Sequence, residues 1–448
     1  MRPALLLPLT GLLFPAPLPA QALRHPQVET LAARVEAARI QATVARLVSF
    51  GTRHTLSDTV SETRGIGAAR RWLASEFQGL AKLPGSRLQP LEDRFTVEAG
   101  PRVPKAAELV NVGAVLPGTD PGRAKEAIVL TGHYDSRASD VLDAGADAPG
   151  AVDDGSGTAL ALELARVMAA ERPAITVYFV AVAGEEQGLL GSTRLAGRLK
   201  EEGVNVLAMV SVDIAGNTEG QDGVKDNVTA RLFSEGVPAA ETEGQKRLRE
   251  AVGGENDGGA REWARYVKRV GERYVENLDF WLMLRRDRIA RGSDHTAFSR
   301  AGFPAIRLSE THEHYDRQHQ NVRVQEGRAY GDDLAHFDSA YTAKLGRALL
   351  AAAWHLAHAP APPRDVVLGG AVSPDTRLRW SLPEDPRIAG LVLYRRRADA
   401  IAWQRVSLLP RSVNATLRNV VPDNEVFALA TVDKEGRESL PAYPGKLE

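Results

Sequence analysis

Apolar residues recur at every third or fourth position in two segments near the N-terminus. This spacing predicts helices over residues 28–50 and 65–79. Apolar runs bounded by turn residues follow and predict strands over 87–97, 108–116 and 127–131. The chain therefore opens with helices and continues into a sheet.

Helical and strand-like segments then alternate. The predicted helices are 158–169 and 189–200, and the predicted strands are 175–183, 206–212 and 303–308. Strands that alternate with helices form largely parallel sheets covered by helices. The sequence therefore predicts an α/β fold, a three-layer sandwich with a central mixed, mostly parallel sheet. An Ala- and Leu-rich helix is predicted over 340–356 and would be the last element of this domain. We place the domain at residues 23–358.

Residues 218–292 interrupt the alternation, because they are rich in Gly and charged residues. The pattern indicates one helix near 261–284 within an insertion over the sheet edge. Two interpretations of this insertion stay open: it forms a lid, or it is only a solvent-exposed segment.

The composition changes again at an Ala- and Pro-rich linker over 359–365. Short alternating strands over 366–448, separated by turn residues, predict a small C-terminal β-sandwich. The stretches around Leu378-Arg-Trp380, Leu393-Tyr394-Arg395 and Phe427 to Ser439 resemble a fibronectin type III domain. Such a domain would bind protein, polysaccharide or cell surface, or only stabilise the chain.

The N-terminus has the pattern of a secretory signal peptide over residues 1–22. Arg2 precedes an apolar run, and Ala20-Gln-Ala22 fits a cleavage site. A retained anchor or an unstructured end is the alternative. We therefore expect an exported protein, periplasmic or secreted, without a membrane span, since the run is too short to cross comfortably.

Composition narrows the chemistry. The formal net charge of -1 means that the chain has no overall positive charge that would attract nucleic acid. The chain has 0 cysteines, so disulfides, thiolate ligands and a Cys nucleophile are excluded. Any metal must be bound by nitrogen and oxygen.

Acidic residues and histidines follow the apolar strands. His133, Glu185, Glu186 and Asp213 each come just after a predicted strand, where open α/β sheets place their ligands. Each has an ordinary explanation when it is taken alone: a surface histidine, a solvated carboxylate, or, for Asp153-Asp154, a helix N-cap. Together they supply the donors that a pair of divalent metals needs.

Four motifs in order carry a family resemblance over residues 28–358. They are Gly132-His-Tyr-Asp-Ser, Gly150-Ala-Val-Asp-Asp-Gly, Gly184-Glu-Glu-Gln-Gly and Ser211-Val-Asp213. The chain resembles the di-zinc exopeptidases, the group of secreted bacterial aminopeptidases, related carboxypeptidases and glutaminyl cyclases. The resemblance implies the α/β sandwich fold and two Zn²⁺ per chain.

Position by position, the resemblance implies five metal ligands. His133 and Asp213 would bind one zinc, Glu186 the second, and Asp153 would bridge both. His319 is the choice for the remaining ligand of the second zinc, with His312 and His314 as competitors.

The resemblance also implies roles around the metals. Glu185 would be the general base for the metal-bound water, and the Asp135 carboxylate would accept the second imidazole N–H of His133. The Asp153–Asp154 peptide bond would be cis. Asp294 and His295 resemble the stretch beside the family's substrate cleft.

Two further features concern substrate binding. Arg291 or Arg288 could contact a substrate carbonyl or carboxylate. Several relatives carry Tyr just before the last His ligand, where this chain has Gln318, so the oxyanion donor stays unassigned.

These observations predict an exported metallo-aminopeptidase that hydrolyses the N-terminal bond of peptides through a metal-bound hydroxide. A carboxypeptidase or dipeptidase of the same family is the alternative. A glutaminyl cyclase would need one zinc only, and a non-enzymatic binding protein would not need the complete ligand set.

Overall fold

The computed structural model describes residues 24–448, so the predicted signal peptide lies outside the described residues. The described chain forms two units, Arg24–Ala359 and Pro360–Glu448. In the described chain, no helix combines the length and apolar character needed to cross a bilayer.

The first unit contains helices and strands in alternation. Its helices are α1 (Pro26–Ala33), α2 (Ala37–Val48), α3 (Gly65–Ala81), α4 (Gly155–Met168), α5 (Leu190–Glu201), α6 (Glu243–Val252), α7 (Gly259–Tyr274), α8 (His295–Ala301) and α9 (Ser339–His358). Its strands are β1 (Gln89–Val97), β2 (Ala107–Leu116), β3 (Glu126–His133), β4 (Thr176–Val182), β5 (Asn205–Val212), β6 (Thr229–Ser234), β7 (Asp279–Met283), β8 (Ala305–Glu310), β9 (Arg323–Gln325) and β10 (Arg328–Tyr330).

An eight-stranded sheet with the order β1-β2-β4-β3-β5-β8-β6-β7 forms the centre of this unit. The pairs β4/β3, β3/β5, β5/β8 and β6/β7 are parallel, and the remaining neighbours are antiparallel. The predicted mixed, mostly parallel sheet is confirmed.

Helices cover both faces of the sheet. Leu195 of α5 and Phe298 of α8 pack with Val129 of β3 on one face. A side chain at position 132 would point to the other face than Val129, since side chains alternate along a strand. A Cβ added there would lie 2.2 Å from the main chain of Gly157, so α4 can approach β3 closely only because residue 132 is glycine.

The predicted insertion over 218–292 differs from the structure. Residues 229–234 and 279–283 are strands β6 and β7 of the main sheet, and α7 buries Trp263 and Tyr266. The predicted helix near 261–284 is wrong in its second half, where β7 replaces it. These parts are therefore built into the domain and do not form a lid over it.

The helix predicted over 28–50 is divided. α1 ends at Ala33 and α2 begins at Ala37, with the main-chain N–H of Glu36 donating to Glu163 Oε1 at 2.9 Å. The apolar spacing runs through the break because Val35 is fully buried, so periodicity alone does not reveal it.

The second unit contains β11 (Arg364–Gly369), β12 (Thr376–Ser381), β13 (Gly390–Arg397), β14 (Arg405–Pro410), β15 (Asn414–Leu417), β16 (Glu425–Val432) and β17 (Lys446–Leu447). They form two sheets, β15-β12-β11-β17 and β14-β13-β16. Leu378 and Trp380 of the first sheet share one apolar cluster with Leu393 and Phe427 of the second. The predicted small β-sandwich is confirmed, and its assignment as fibronectin type III stays a prediction.

Candidate metal centre

Three adjacent parallel strands end at one edge of the main sheet. His133 is the last residue of β3, Asp213 directly follows β5, and Glu185 and Glu186 follow β4. Because the strands are parallel neighbours, their carboxyl ends bring these side chains together.

Two groups of possible metal ligands result. His133, Glu185 and Asp213 form one group, and Asp153, Glu186 and His319 form the other. Within each group, the ligand atoms lie within 4.8 Å of one another. The five residues predicted as ligands all lie in these groups, and Glu185 lies with them.

Asp153 connects the two groups. Its Oδ1 lies 3.2 Å from Nε2 of His133, and its Oδ2 lies 3.1 Å from Nε2 of His319. His319 Nε2 also lies 2.9 Å from Glu186 Oε1. One carboxylate thus faces both histidines, which is the geometry of a bridging ligand.

The charge of these side chains fits divalent cations. Burial opposes a charged imidazole, but Glu186 and Asp153 raise the pKa of His319 to about 10. Burial likewise opposes ionisation of Asp153, yet His133 and His319 lower its pKa. Without a metal, the raised pKa values of His133 and His319 favour protonated imidazoles beside the carboxylates. Zinc accepts the same N and O donors and would supply that positive charge instead.

Glu185 differs from the ligands. Burial raises the pKa of its carboxyl, Glu186 and Asp213 raise it further, and His133 opposes them. A carboxyl whose anion is disfavoured by burial and by neighbouring carboxylates, close to the ligand groups, is suited to accept a proton and release it again.

Asp154 fixes the start of α4 against β3. Its Oδ1 accepts the N–H of Gly157 at 2.8 Å, which confirms the predicted helix cap. Its Oδ2 accepts the main-chain N–H of His133 at 3.0 Å. The Asp153–Asp154 peptide bond is cis, as the family resemblance implied.

Asp135 supports the site in a different way from the one predicted. Nδ1 of His133 contacts the main-chain oxygen of Asp135 at 3.1 Å, while the Asp135 carboxylate lies 3.7 Å away. That carboxylate instead accepts the N–H groups of Glu185 and Glu186 at 3.2 and 3.1 Å, and the hydroxyl of Thr55 at 3.0 Å. Asp135 is therefore a positioning residue for the Glu185–Glu186 turn.

Asp332 was missed by the sequence reasoning. Its Oδ2 accepts the N–H of Asp153 at 2.7 Å, and both of its carboxylate oxygens lie 3.0 Å from the N–H of Val152. Burial raises the pKa of Asp332 to about 7. This side chain fixes the main chain that carries the bridging carboxylate.

Two buried arginines were also missed. Arg53 is fully buried and donates to the main-chain oxygens of Tyr134 at 2.7 Å and Gly150 at 2.8 Å. Arg307 is equally buried on β8, and its Nη2 lies 2.9 Å from Asp213 Oδ1. Only three-dimensional contacts reveal these roles, since a lone arginine in a loop or in a strand has no distinctive sequence pattern.

The predicted substrate-binding residues differ in accessibility. Asp294 and His295 are both 0% exposed, and Nε2 of His295 contacts the main-chain oxygen of Arg286 at 2.8 Å. The metal ligands His133, Glu186 and Asp213 are also buried, so the place of Asp294 and His295 beside the substrate cleft stays a prediction. Arg291 has a side chain that is 31% exposed, which leaves it accessible.

The alternative histidine ligands lie elsewhere. Nδ1 of His312 is 3.0 Å from Asp222 and its Nε2 is 3.6 Å from Asp226. Neither His312 nor His314 belongs to a ligand group among the described residues. Oε1 of Gln318, the residue before His319, lies 3.5 Å from Nη1 of Arg291.

Comparisons with known proteins agree with this centre. Residues 111–353 match the model of peptidase family M28. A probable zinc metalloprotease of Leptosphaeria maculans is 39% identical over 435 residues, which covers 97% of this chain and 99% of the relative. One of Pyricularia oryzae is 40% identical over 422 residues, covering 92% and 82%.

Solved structures are similar in fold. The LapA aminopeptidase of Legionella pneumophila has a TM-score of 0.51 at 22% identity, over 74% of this chain and 75% of that one. An aminopeptidase from Aneurinibacillus has a TM-score of 0.50 at 13% identity, over 75% and 97%.

Proposed function

The chain belongs to peptidase family M28 and is a zinc metallopeptidase, and we propose that it is an exported two-zinc aminopeptidase. The observation that carries the proposal is the pair of ligand groups that Asp153 connects. The signal pattern at the N-terminus supports export.

Five residues would hold the metals. One zinc would be bound by His133 and Asp213, the other by Glu186 and His319, and both by Asp153. This arrangement leaves positions open for water and substrate, as a catalytic zinc site requires. When bound, zinc lowers the pKa of its water toward about 7 and polarises the substrate carbonyl.

Glu185 would move the proton. Its carboxylate lies with His133 and Asp213, next to the residues that would hold the metals. We infer that it takes a proton from the attacking water and delivers it to the leaving amine. Asp135 holds the turn in position through the N–H groups of Glu185 and Glu186.

The N-terminal peptide bond is the proposed point of cleavage. Solved structures of the same fold are named aminopeptidases, so this reaction comes first. A carboxypeptidase is the second candidate, because the accessible Arg291 could bind a terminal carboxylate.

Metal analysis and two substrates test the proposal together. We expect about two zinc ions per chain, and hydrolysis of an aminoacyl anilide with a free amino group. Acetylation of that amino group should abolish turnover, whereas a carboxypeptidase would cleave an N-blocked peptide with a free C-terminus. Zinc binding without hydrolysis of either substrate would overturn the proposal.

A further inference from the structure

The segment 285–291 is basic and borders the metal centre. It carries Arg285, Arg286, Arg288 and Arg291, with Asp287 as its single carboxylate. Asp287 is already paired, since its Oδ1 and Oδ2 lie 3.0 and 3.3 Å from Nη1 of Arg307. The segment therefore has an excess of positive charge.

Glu313 does not neutralise this excess, because three arginines share it. Its carboxylate lies 2.6 Å from Arg231, 2.7 Å from Arg288 and 3.4 Å from Arg291. The first two side chains are 14% and 11% exposed, whereas that of Arg291 is 31% exposed. Arg291 thus has the longest contact and the greatest access to solvent.

Arg291 is also close to a candidate ligand. Its Nη1 lies 3.5 Å from Oε1 of Gln318, which directly precedes His319. The guanidinium is therefore at the border of the site formed by Asp153, Glu186 and His319.

A second arginine lies next to Glu186. Nη1 of Arg102 donates to the main-chain oxygen of Glu186 at 2.9 Å. No ion pair to a carboxylate is found for Arg102 within the part of the chain that the structure describes. Since Glu186 and His319 are 2.9 Å apart, both arginines border the same group of ligands.

The arginines decide the sign of the charge beside the loaded centre. Two divalent cations would be balanced by the four carboxylates Asp153, Glu185, Glu186 and Asp213. Arg102 and Arg291 then leave positive charge at the border of the site, and a cleft lined by one sign of charge attracts ligands of the other sign.

We propose that Arg291 binds a carboxylate of the substrate and that Arg102 strengthens its attraction to the site. The preferred substrates are then short peptides that carry a carboxylate near the cleaved bond. This inference rests on the proposed peptidase function and adds the substrate class. The carboxylate has two possible sources, the C-terminus of a very short peptide or an acidic side chain.

Two matched substrate pairs distinguish the sources. The first pair is alanyl-alanine and its C-terminal amide, and the second is alanyl-glutamate amide and alanyl-glutamine amide. For at least one pair, we expect the zinc-loaded enzyme to show kcat/KM about tenfold higher for the charged member. Dissociation constants are measured in parallel on a zinc-loaded Glu185→Gln variant, so binding is tested even without turnover.

Substitutions then locate the contact. Arg291→Gln should abolish the preference within the responsive pair, and Arg102→Gln should reduce it about threefold by removing one nearby charge. Arg285→Gln is the matched control, because it removes the same charge from an exposed position in the same segment. The Arg285→Gln variant should keep the parent's preference for the charged substrate.

Three outcomes overturn the inference: equal binding of both members in both pairs, a preference that survives Arg291→Gln, or an equal loss in Arg285→Gln. Failure of the proposed function looks different. In that case the parent hydrolyses no substrate, while the preference in binding is still measurable.

Discussion

Arg307 forms a buried ion pair with Asp213, a carboxylate that would also bind zinc. Nη2 of Arg307 lies 2.9 Å from Asp213 Oδ1, its Nε donates to the main-chain oxygen of Asp213, and its side chain is 0% exposed. The guanidinium positions the carboxylate but also competes for its charge. A nearby cation should therefore weaken the metal position formed by His133 and Asp213.

Arg307→Met should make zinc more stabilising. The metal-free variant should be less stable than the parent by about 3 kcal/mol, because Asp213 and Asp287 lose their buried counter-charge. Zinc should recover part of this loss, since it replaces the missing positive charge. Thermal unfolding with and without zinc checks the prediction. A zinc-induced rise in Tm no larger than that of the parent would contradict it.

Glu185→Gln should remove catalysis and keep the metals. The amide cannot accept the proton of the water, so kcat should fall by about 10²–10⁴. Zinc content should equal that of the parent, because Glu185 is not one of the five proposed ligands. Steady-state kinetics with metal analysis is the measurement. A variant with parental kcat would exclude Glu185 as the base.

Asp332→Ala should weaken metal binding without removing a ligand. The N–H groups of Val152 and Asp153 lose their acceptor, so the bridging carboxylate is less well oriented. We expect zinc affinity to fall by about 10–100-fold. Asp332→Asn is the control, because it keeps one oxygen acceptor and should lose less. Equal affinity in the alanine variant and the parent, from competition with a chelator, would refute this role.

Glu313 should contribute stability that depends on pH. Burial opposes its ionisation, but Arg288 and Arg231 lower its pKa from 4.5 to about 2. A lowered folded-state pKa favours folding above pH 4.5, and this contribution is lost as the pH falls from 4.5 to about 2. Glu313→Gln should be less stable than the parent by about 3 kcal/mol at pH 7. In denaturant unfolding, the difference should shrink toward pH 3, and a constant difference would contradict the assignment.

Local patterns predicted most of the catalytic fold. Long apolar runs identified β2, β3, β4 and β5, because strands buried in the middle of the sheet have few polar positions. The pattern failed for β6 and β7, which lie at one end of the sheet. There Trp281 is 44% exposed, and mixed polarity looks like a solvated loop.

The ligand groups were predicted from the sequence, but their supports were not. His133, Glu186 and Asp213 stand at strand ends, and a motif reveals them. Arg307 contacts Asp213 from 94 residues away, and Asp332 contacts Asp153 from 179. Such pairs depend on how distant elements meet in space, which neither periodicity nor spacing encodes.

The double use of Asp154 has a consequence for how the enzyme can diversify. One side chain joins the end of β3 to the beginning of α4, so the chelating geometry is anchored by the scaffold itself. Exposed side chains of the segment 285–291, such as Arg285 and Arg291, lie outside that anchor. Exchanging these side chains between homologues should therefore change substrate selectivity and keep the geometry of the metal ligands. Evolution and protein engineering can both act at this border of the site.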